Sequence, residues 1–90
     1  MIYSCVITFP TTFYAIKAEE ALRHIQISFK MVPVPRIISS SCGTALRCAC
    51  EDLELIRNTL LEQSIALESF YRLAEQGLKT PTAEELMFNE

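Results

Sequence analysis

The chain is poor in glycine and histidine, and each shortage removes a class of functional site. Its two glycines, Gly43 and Gly77, lie far apart, so no glycine-rich loop is present to hold a nucleotide phosphate. The one histidine, His24, falls on a predicted helix, and no serine or carboxylate pattern completes a catalytic triad around it. We therefore predict that the protein uses no cofactor, and we interpret His24 as a solvent-facing helix residue.

Long apolar runs and a large excess of charge are also missing. No apolar run approaches the roughly 18 residues that a bilayer-spanning helix requires. Met1 is followed by a strand-like run rather than by a basic signal-peptide segment. The net charge is −3; residues 1–74 are neutral, and residues 75–90 hold four acids against one base. We expect a cytoplasmic protein that binds neither nucleic acid nor membrane.

The four cysteines do not have the pattern of a disulfide framework or of a metal site. A chain without a secretory signal is expected to keep its thiols reduced. If the segment between Cys42 and Cys48 is extended, their Cα atoms lie roughly 20 Å apart, well beyond the range of a disulfide. These two and Cys50 lack the paired spacing of zinc ligands, so we predict no metal. Cys5 alternates with apolar residues and is expected in the core.

The apolar pattern predicts a small α+β domain. Period-two alternation or short apolar runs indicate four strands, at residues 2–9, 28–32, 44–48 and 68–73. Two amphipathic helices are predicted between the first and second strands and between the third and fourth, with these apolar stripes: Ala18, Ala21, Leu22 and Ile25; Leu53, Ile56 and Leu60. The order βαββαβ predicts a ferredoxin-like fold, a four-stranded antiparallel sheet with both helices on one face.

The predicted domain covers residues 1–74, and residues 75–90 are interpreted as an acidic C-terminal tail. Thr82 and Glu85 form a capping-box pattern ahead of three apolar residues, which is compatible with a short terminal helix. We favour a frayed tail over that helix, because chain ends stay disordered unless they are tied down.

Residues 35–47, which read PRIISSSCGTALR, contain the strongest candidate site. Cys42 precedes a glycine, and Gly43 permits a positive φ and leaves the sulfur unshielded. Arg36 and Arg47 are the only charges between Met31 and Cys50, so their field favours the thiolate of Cys42 over the thiol. The alternative is a small buried hydrophobic side chain, which the polar neighbours make a poorer interpretation.

Other side chains support this site in different ways. Ser40 and Ser41 add hydroxyl donors beside Cys42. Cys48 shares the parity of Leu46 in the third strand and is expected in the core. Cys50 follows that strand, and we keep open the alternative that it is a resolving thiol for Cys42.

Two segments together carry a resemblance to a known family. Residues 9–19, FPTTFYAIKAE, and residues 35–47 resemble the selenium/sulfur carrier-like family, and the resemblance runs from about residue 3 to residue 73. It implies that Cys42 accepts zero-valent sulfur or selenium as a persulfide or selenosulfide. It also implies a donor protein and an acceptor protein as partners, and a carrier rather than a stand-alone enzyme.

Two alternatives of other classes stay open at this point. Ferredoxin-like domains often dimerise through a sheet face or edge, so the chain could be a non-catalytic interaction or regulatory module, including a homodimer. A reactive Cys42 could also serve as a redox sensor that forms a sulfenate or a disulfide. The mass added to Cys42 during purification without reductant distinguishes the carrier from these two alternatives.

Overall fold

The computed structural model describes residues 3–35, 38, 41–74 and 82–86. These residues form an α+β fold with two helices and one sheet, which confirms the predicted class. A short 3-10 turn at Cys50–Asp52 leads into the second helix. The strands and helices are β1 (Tyr3–Thr8), α1 (Thr12–Arg23), β2 (Phe29–Pro33), β3 (Thr44–Cys48), α2 (Leu53–Glu62), β4 (Ser69–Ala74) and β5 (Thr82–Leu86).

The sheet has five antiparallel strands in the order β2-β3-β1-β4-β5, so the prediction of four strands was wrong. The additional strand is β5, which forms where we favoured a frayed tail and where the capping-box pattern allowed a short helix. An unpaired edge of β4 would expose a row of N–H and C=O groups, and β5 satisfies them. Phe70 and Leu86 are register partners, and both pack against the core on the helix side. Tertiary pairing therefore overrides a local helix signal.

Both helices cover the same face of the sheet. Each contributes three buried residues to one cluster: Ala15, Ala18 and Leu22 from α1; Leu53, Ile56 and Leu60 from α2. The sheet supplies alternate residues of β1 and β3, among them Ile7 and Leu46. The predicted stripe of α2 is confirmed. In α1 the stripe is shorter than predicted, because the helix ends at Arg23 and Ile25 is exposed in the following turn.

The opposite face of the sheet carries a second, smaller core. Val6, Ala45 and Leu73 are buried there, and Ile38 packs against them from the segment that joins β2 to β3. We call residues 34–43 the Cys42 loop; within it, residues 36, 37, 39 and 40 lie outside the described part of the chain. The contact of Ile38 with the sheet fixes where this loop lies.

A pair of adjacent residues in α2 tests the assignment of the helix-side core. Ile56 is fully buried and Leu55 is 55% exposed. We expect Ile56→Ala to lower the free energy of unfolding by about 2–5 kcal/mol, because it leaves a cavity. Leu55→Ala should change it by about 0.5 kcal/mol or less. Urea denaturation of both variants measures the difference, and similar losses would contradict the assigned helix orientation.

Candidate functional site

The Cys42 loop is held to the end of the sheet by its own backbone. The amide of Val34 donates to the carbonyl of Gly43 at 3.0 Å, which extends the pairing of β2 with β3 by one step. Ile38 N–H donates to Pro35 at 3.0 Å, while the Ile38 side chain is buried against the sheet. Gly43 has a φ of +76°, the left-handed region that its place beside Cys42 predicts. A Cβ there would meet nothing within 4 Å, so the glycine serves the backbone conformation and not a close approach.

The sulfur of Cys42 lies between two backbone groups of one residue. Its thiol donates to the carbonyl of Thr44 at 3.0 Å, and the amide of Thr44 donates to the sulfur at 3.3 Å. The carbonyl holds the proton on the thiol, whereas the N–H stabilises the sulfur after the proton has left. Cys42 is a free, half-buried thiol. The turn therefore presents a sulfur with a backbone donor already aimed at it.

A carboxylate that the sequence did not predict holds the residue before Cys42. Ser41, the residue before Cys42, donates its hydroxyl to Glu68 at 2.7 Å and its amide to the same carboxylate at 3.4 Å. Glu68 is placed there because its own amide donates to Thr8 at 2.8 Å, just before β4 begins. Glu68 is 27 residues away from Ser41 in the chain, so no local pattern pointed to it. A negative charge thus opposes the positive field that the sequence predicted.

Of the two predicted arginines, only Arg47 is in the described part of the chain. Its guanidinium donates to the hydroxyl of Ser4 at 3.2 Å. It lies three positions past Thr44 in β3, roughly 10 Å along the strand at the usual rise per residue. The described contact of Arg47 is therefore directed along the sheet and not toward Cys42. Arg36 and Ser40 lie outside the described residues.

Cys5 and Cys50 form a disulfide, with their Cα atoms 4.9 Å apart. The expectation that all four cysteines are reduced was wrong for this pair. It rested on the compartment alone, whereas the antiparallel pairing of β1 with β3 brings Cys5 to the end of β3, where the chain turns toward α2. Cys50 therefore has no free thiol in this structure, and the five residues of β3 separate it from the Cys42 loop.

Cys48 is a free thiol in the helix-side core, as its parity in β3 predicted. Burial, and secondarily the carboxylate of Asp52, raise the pKa of Cys48 to about 11. A thiol with so high a pKa is almost entirely protonated at neutral pH, and the buried sulfur is also hard to reach. Cys42 is therefore the only one of the four cysteines that is both reduced and partly exposed.

A groove on the helix side of the fold is not lined by Cys42. This groove of about 510 Å³ runs between α1 and the turn after α2, and its lining includes Tyr14, Lys17, His24 and Ile65. Within residues 3–35, 38, 41–74 and 82–86, no group of three histidine, cysteine or acidic side chains is arranged to hold a metal ion. Among the same residues, neither helix has the length and apolarity that a membrane crossing requires.

The contrast between two free cysteines gives a direct prediction. Iodoacetamide at neutral pH should modify Cys42 and leave Cys48 unmodified in the native protein, because Cys48 is buried and its pKa is about 11. Modification of Cys48 should increase as the pH approaches 11. The pKa of Cys48 is higher in the folded protein than in the unfolded chain, so its protonated thiol contributes to the free energy of unfolding. This contribution is complete below about pH 8.5 and is lost as the pH rises toward 11. Peptide mapping after brief alkylation measures the first effect, and rapid labelling of Cys48 at pH 7 would contradict it.

A second prediction concerns the missed carboxylate. Glu68→Gln should raise the rate of Cys42 alkylation, because it removes a negative charge that is hydrogen-bonded to the adjacent Ser41. Glu54→Gln is the matched control, because it removes the same charge from an exposed position in the first turn of α2. Rates of iodoacetamide reaction at one fixed pH decide the matter. An unchanged or slower rate in Glu68→Gln would mean that Glu68 acts on the loop only as an anchor.

The sequence that forms this fold matches the model of a protein family. The sequence model of the family described as "Putative Se/S carrier protein-like" matches residues 4–72. This range holds the Cys42 loop, both helices and most of β1 and β4, and it leaves β5 outside. No curated protein and no solved structure matches the chain.

Proposed function

Because the chain belongs to the Se/S carrier protein-like family, we propose that it carries zero-valent sulfur or selenium on Cys42 from a donor protein to an acceptor protein. The observation that supports this most directly is the state of the four cysteines. Two are joined in a disulfide and one is buried, so Cys42 is the sulfur that a partner can reach. A carrier of one atom needs one such sulfur and no further catalytic group.

Loading is a displacement at the terminal atom of a donor persulfide or selenosulfide. The thiolate of Cys42 attacks that atom, a new S–S or S–Se bond forms, and the donor's cysteine thiolate leaves. One chalcogen bond is made and one is broken, so no external oxidant or reductant is required. The amide of Thr44, 3.3 Å from the sulfur, stabilises the negative charge of the attacking thiolate.

Delivery repeats the same step in the other direction. A nucleophile of the acceptor attacks the carried atom, and Cys42 leaves as a thiolate. The leaving group again receives the Thr44 amide hydrogen bond, so the turn stabilises the charged form of Cys42 before loading and after delivery. The Ser41–Glu68 contact holds the adjacent residue in place during both steps.

The remaining sequence-based expectations complete the proposal. Arg36 and Arg47 supply positive charge that favours the Cys42 thiolate, Arg47 from farther along β3, and Ser40 supplies a hydroxyl donor. The two helices and the strands β1 to β4 correspond to a ferredoxin-like domain, to which β5 adds an edge strand. The protein works in the cytoplasm, where thiols are abundant, so the Cys5–Cys50 disulfide is exposed to exchange with them.

Loading followed by peptide mapping tests the proposal. The protein with its Cys5–Cys50 disulfide intact, treated with a low-molecular-weight persulfide or selenosulfide, should gain the mass of one sulfur or one selenium atom on the Cys42 peptide. An acceptor thiol should then remove it. Cys42→Ser should abolish loading, whereas the matched control Cys5→Ser/Cys50→Ser, which removes the disulfide, should load normally.

Two results would contradict the carrier assignment. Addition of oxygen to Cys42 in place of the chalcogen would indicate a redox sensor. A Cys42 that reacts neither with the persulfide nor with iodoacetamide in a folded protein would indicate an interaction module.

A further inference from the structure

Cys5 lies close to both of the other cysteines outside the Cys42 loop. Cys5 is bonded to Cys50, with a Cα–Cα distance of 4.9 Å. Cys5 is also the direct register partner of Cys48 in the antiparallel pair of β1 and β3. Directly opposite residues in such a pair have Cα atoms about 4.5–5.5 Å apart, which falls within the range of a disulfide. Cys5 therefore has two partners whose backbone spacing permits a bond.

The side chains of these two candidates differ in access to solvent. Cys5 and Cys48 both belong to the helix-side core, so both project from the same face of the sheet. Cys5 is 1% exposed and Cys48 is 6% exposed. Cys50 is half-buried and begins the 3-10 turn that leads into α2. A disulfide that moved from Cys50 to Cys48 would become wholly internal and would leave the more exposed sulfur as a thiol.

We propose that Cys5, Cys48 and Cys50 form a thiol–disulfide exchange centre, separate from Cys42, in which Cys5 changes its partner from Cys50 to Cys48. The thiolate of Cys48 attacks the sulfur of Cys5, the Cys5–Cys48 bond forms and the Cys5–Cys50 bond breaks. Because Cys48 is mostly protonated at neutral pH, the step is slow there and becomes faster as the pH rises. Cys50 leaves as a thiolate and takes up the proton that Cys48 loses. One disulfide is present before and after, so the step needs no oxidant or reductant.

The product of this exchange has a definite reactivity. The released Cys50 thiolate can attack a disulfide electrophile, which gives a mixed disulfide at Cys50 and frees one thiolate of the attacked molecule. Oxidised glutathione represents this class of substrate. In this product Cys48 is the disulfide partner of Cys5. The proposal thus gives the buried Cys48 a chemical role besides packing.

Trapping the released thiol tests the exchange. The experiment uses the Cys42→Ser protein, purified without reductant, so that only the three cysteines of the centre are present and loading of Cys42 plays no part. N-ethylmaleimide should label Cys50 progressively, and a Cys5–Cys48 disulfide should accumulate in peptide maps made without reduction. Adding Cys48→Ala should abolish the labelling of Cys50. Labelling of Cys48 with the Cys5–Cys50 bond intact, or equal labelling of Cys50 in both proteins, would overturn the proposal.

A second variant decides the question if the buried Cys48→Ala substitution prevents folding. Cys50→Ser changes a half-buried side chain and leaves both core sulfurs in place. After reduction and treatment with oxidised glutathione, Cys42→Ser/Cys50→Ser should form an internal Cys5–Cys48 disulfide while its circular dichroism stays native. A native-like protein in which Cys5 and Cys48 stay unpaired would show that the register does not permit the bond.

Discussion

The register between β1 and β3 is the constraint on which both sulfur sites depend. It sets Thr8 opposite Ala45 and Cys5 opposite Cys48. The first of these pairs places the start of β3, and hence the Cys42 loop, beside the end of β1; the second brings Cys5 to the chain that leaves β3. A slip of one residue would move each side chain of a strand to the other face of the sheet. The pairing of two central strands therefore decides which cysteines meet and which one stands apart.

The hydrogen bonds of the Cys42 sulfur come from the backbone of Thr44 and not from a charged side chain. The positive φ of Gly43 turns the chain so that the amide of Thr44 points back at the sulfur. Burial of Ile38 on the sheet holds the loop that carries this turn. The acidic neighbour, Glu68, fixes Ser41 by two hydrogen bonds at the cost of a negative charge near the site. The Thr44 amide and the anchored loop thus act at shorter range than the charge of Arg47, which lies roughly 10 Å along β3 from Thr44.

Local patterns predicted much of this fold because they depend on neighbours in the chain. The α2 stripe, the core position of Cys48 and the need for glycine at position 43 all follow from periodicity or from turn chemistry. Three features escaped prediction: the fifth strand, the Cys5–Cys50 disulfide and the Ser41–Glu68 contact. Each joins segments that are distant in the chain, so each depends on a strand register that the pattern of a single sequence does not determine. The expectation of four reduced cysteines was wrong because it considered the redox conditions of the cytoplasm and not which sulfurs the sheet brings together.

The Cys5–Cys50 bond turns part of the chain into a covalent ring. Its sequence separation is 45 residues, and the ring holds most of β1, all of α1, β2 and β3, and the Cys42 loop. A force applied to the two ends of the protein can extend only the segments outside the ring. At about 3.5 Å per residue, on the order of 160 Å of contour length is withheld from stretching. The Cys42 loop would thus stay within an unstretched ring when the molecule is pulled from its ends, although its contact with Glu68, which lies outside the ring, would be lost.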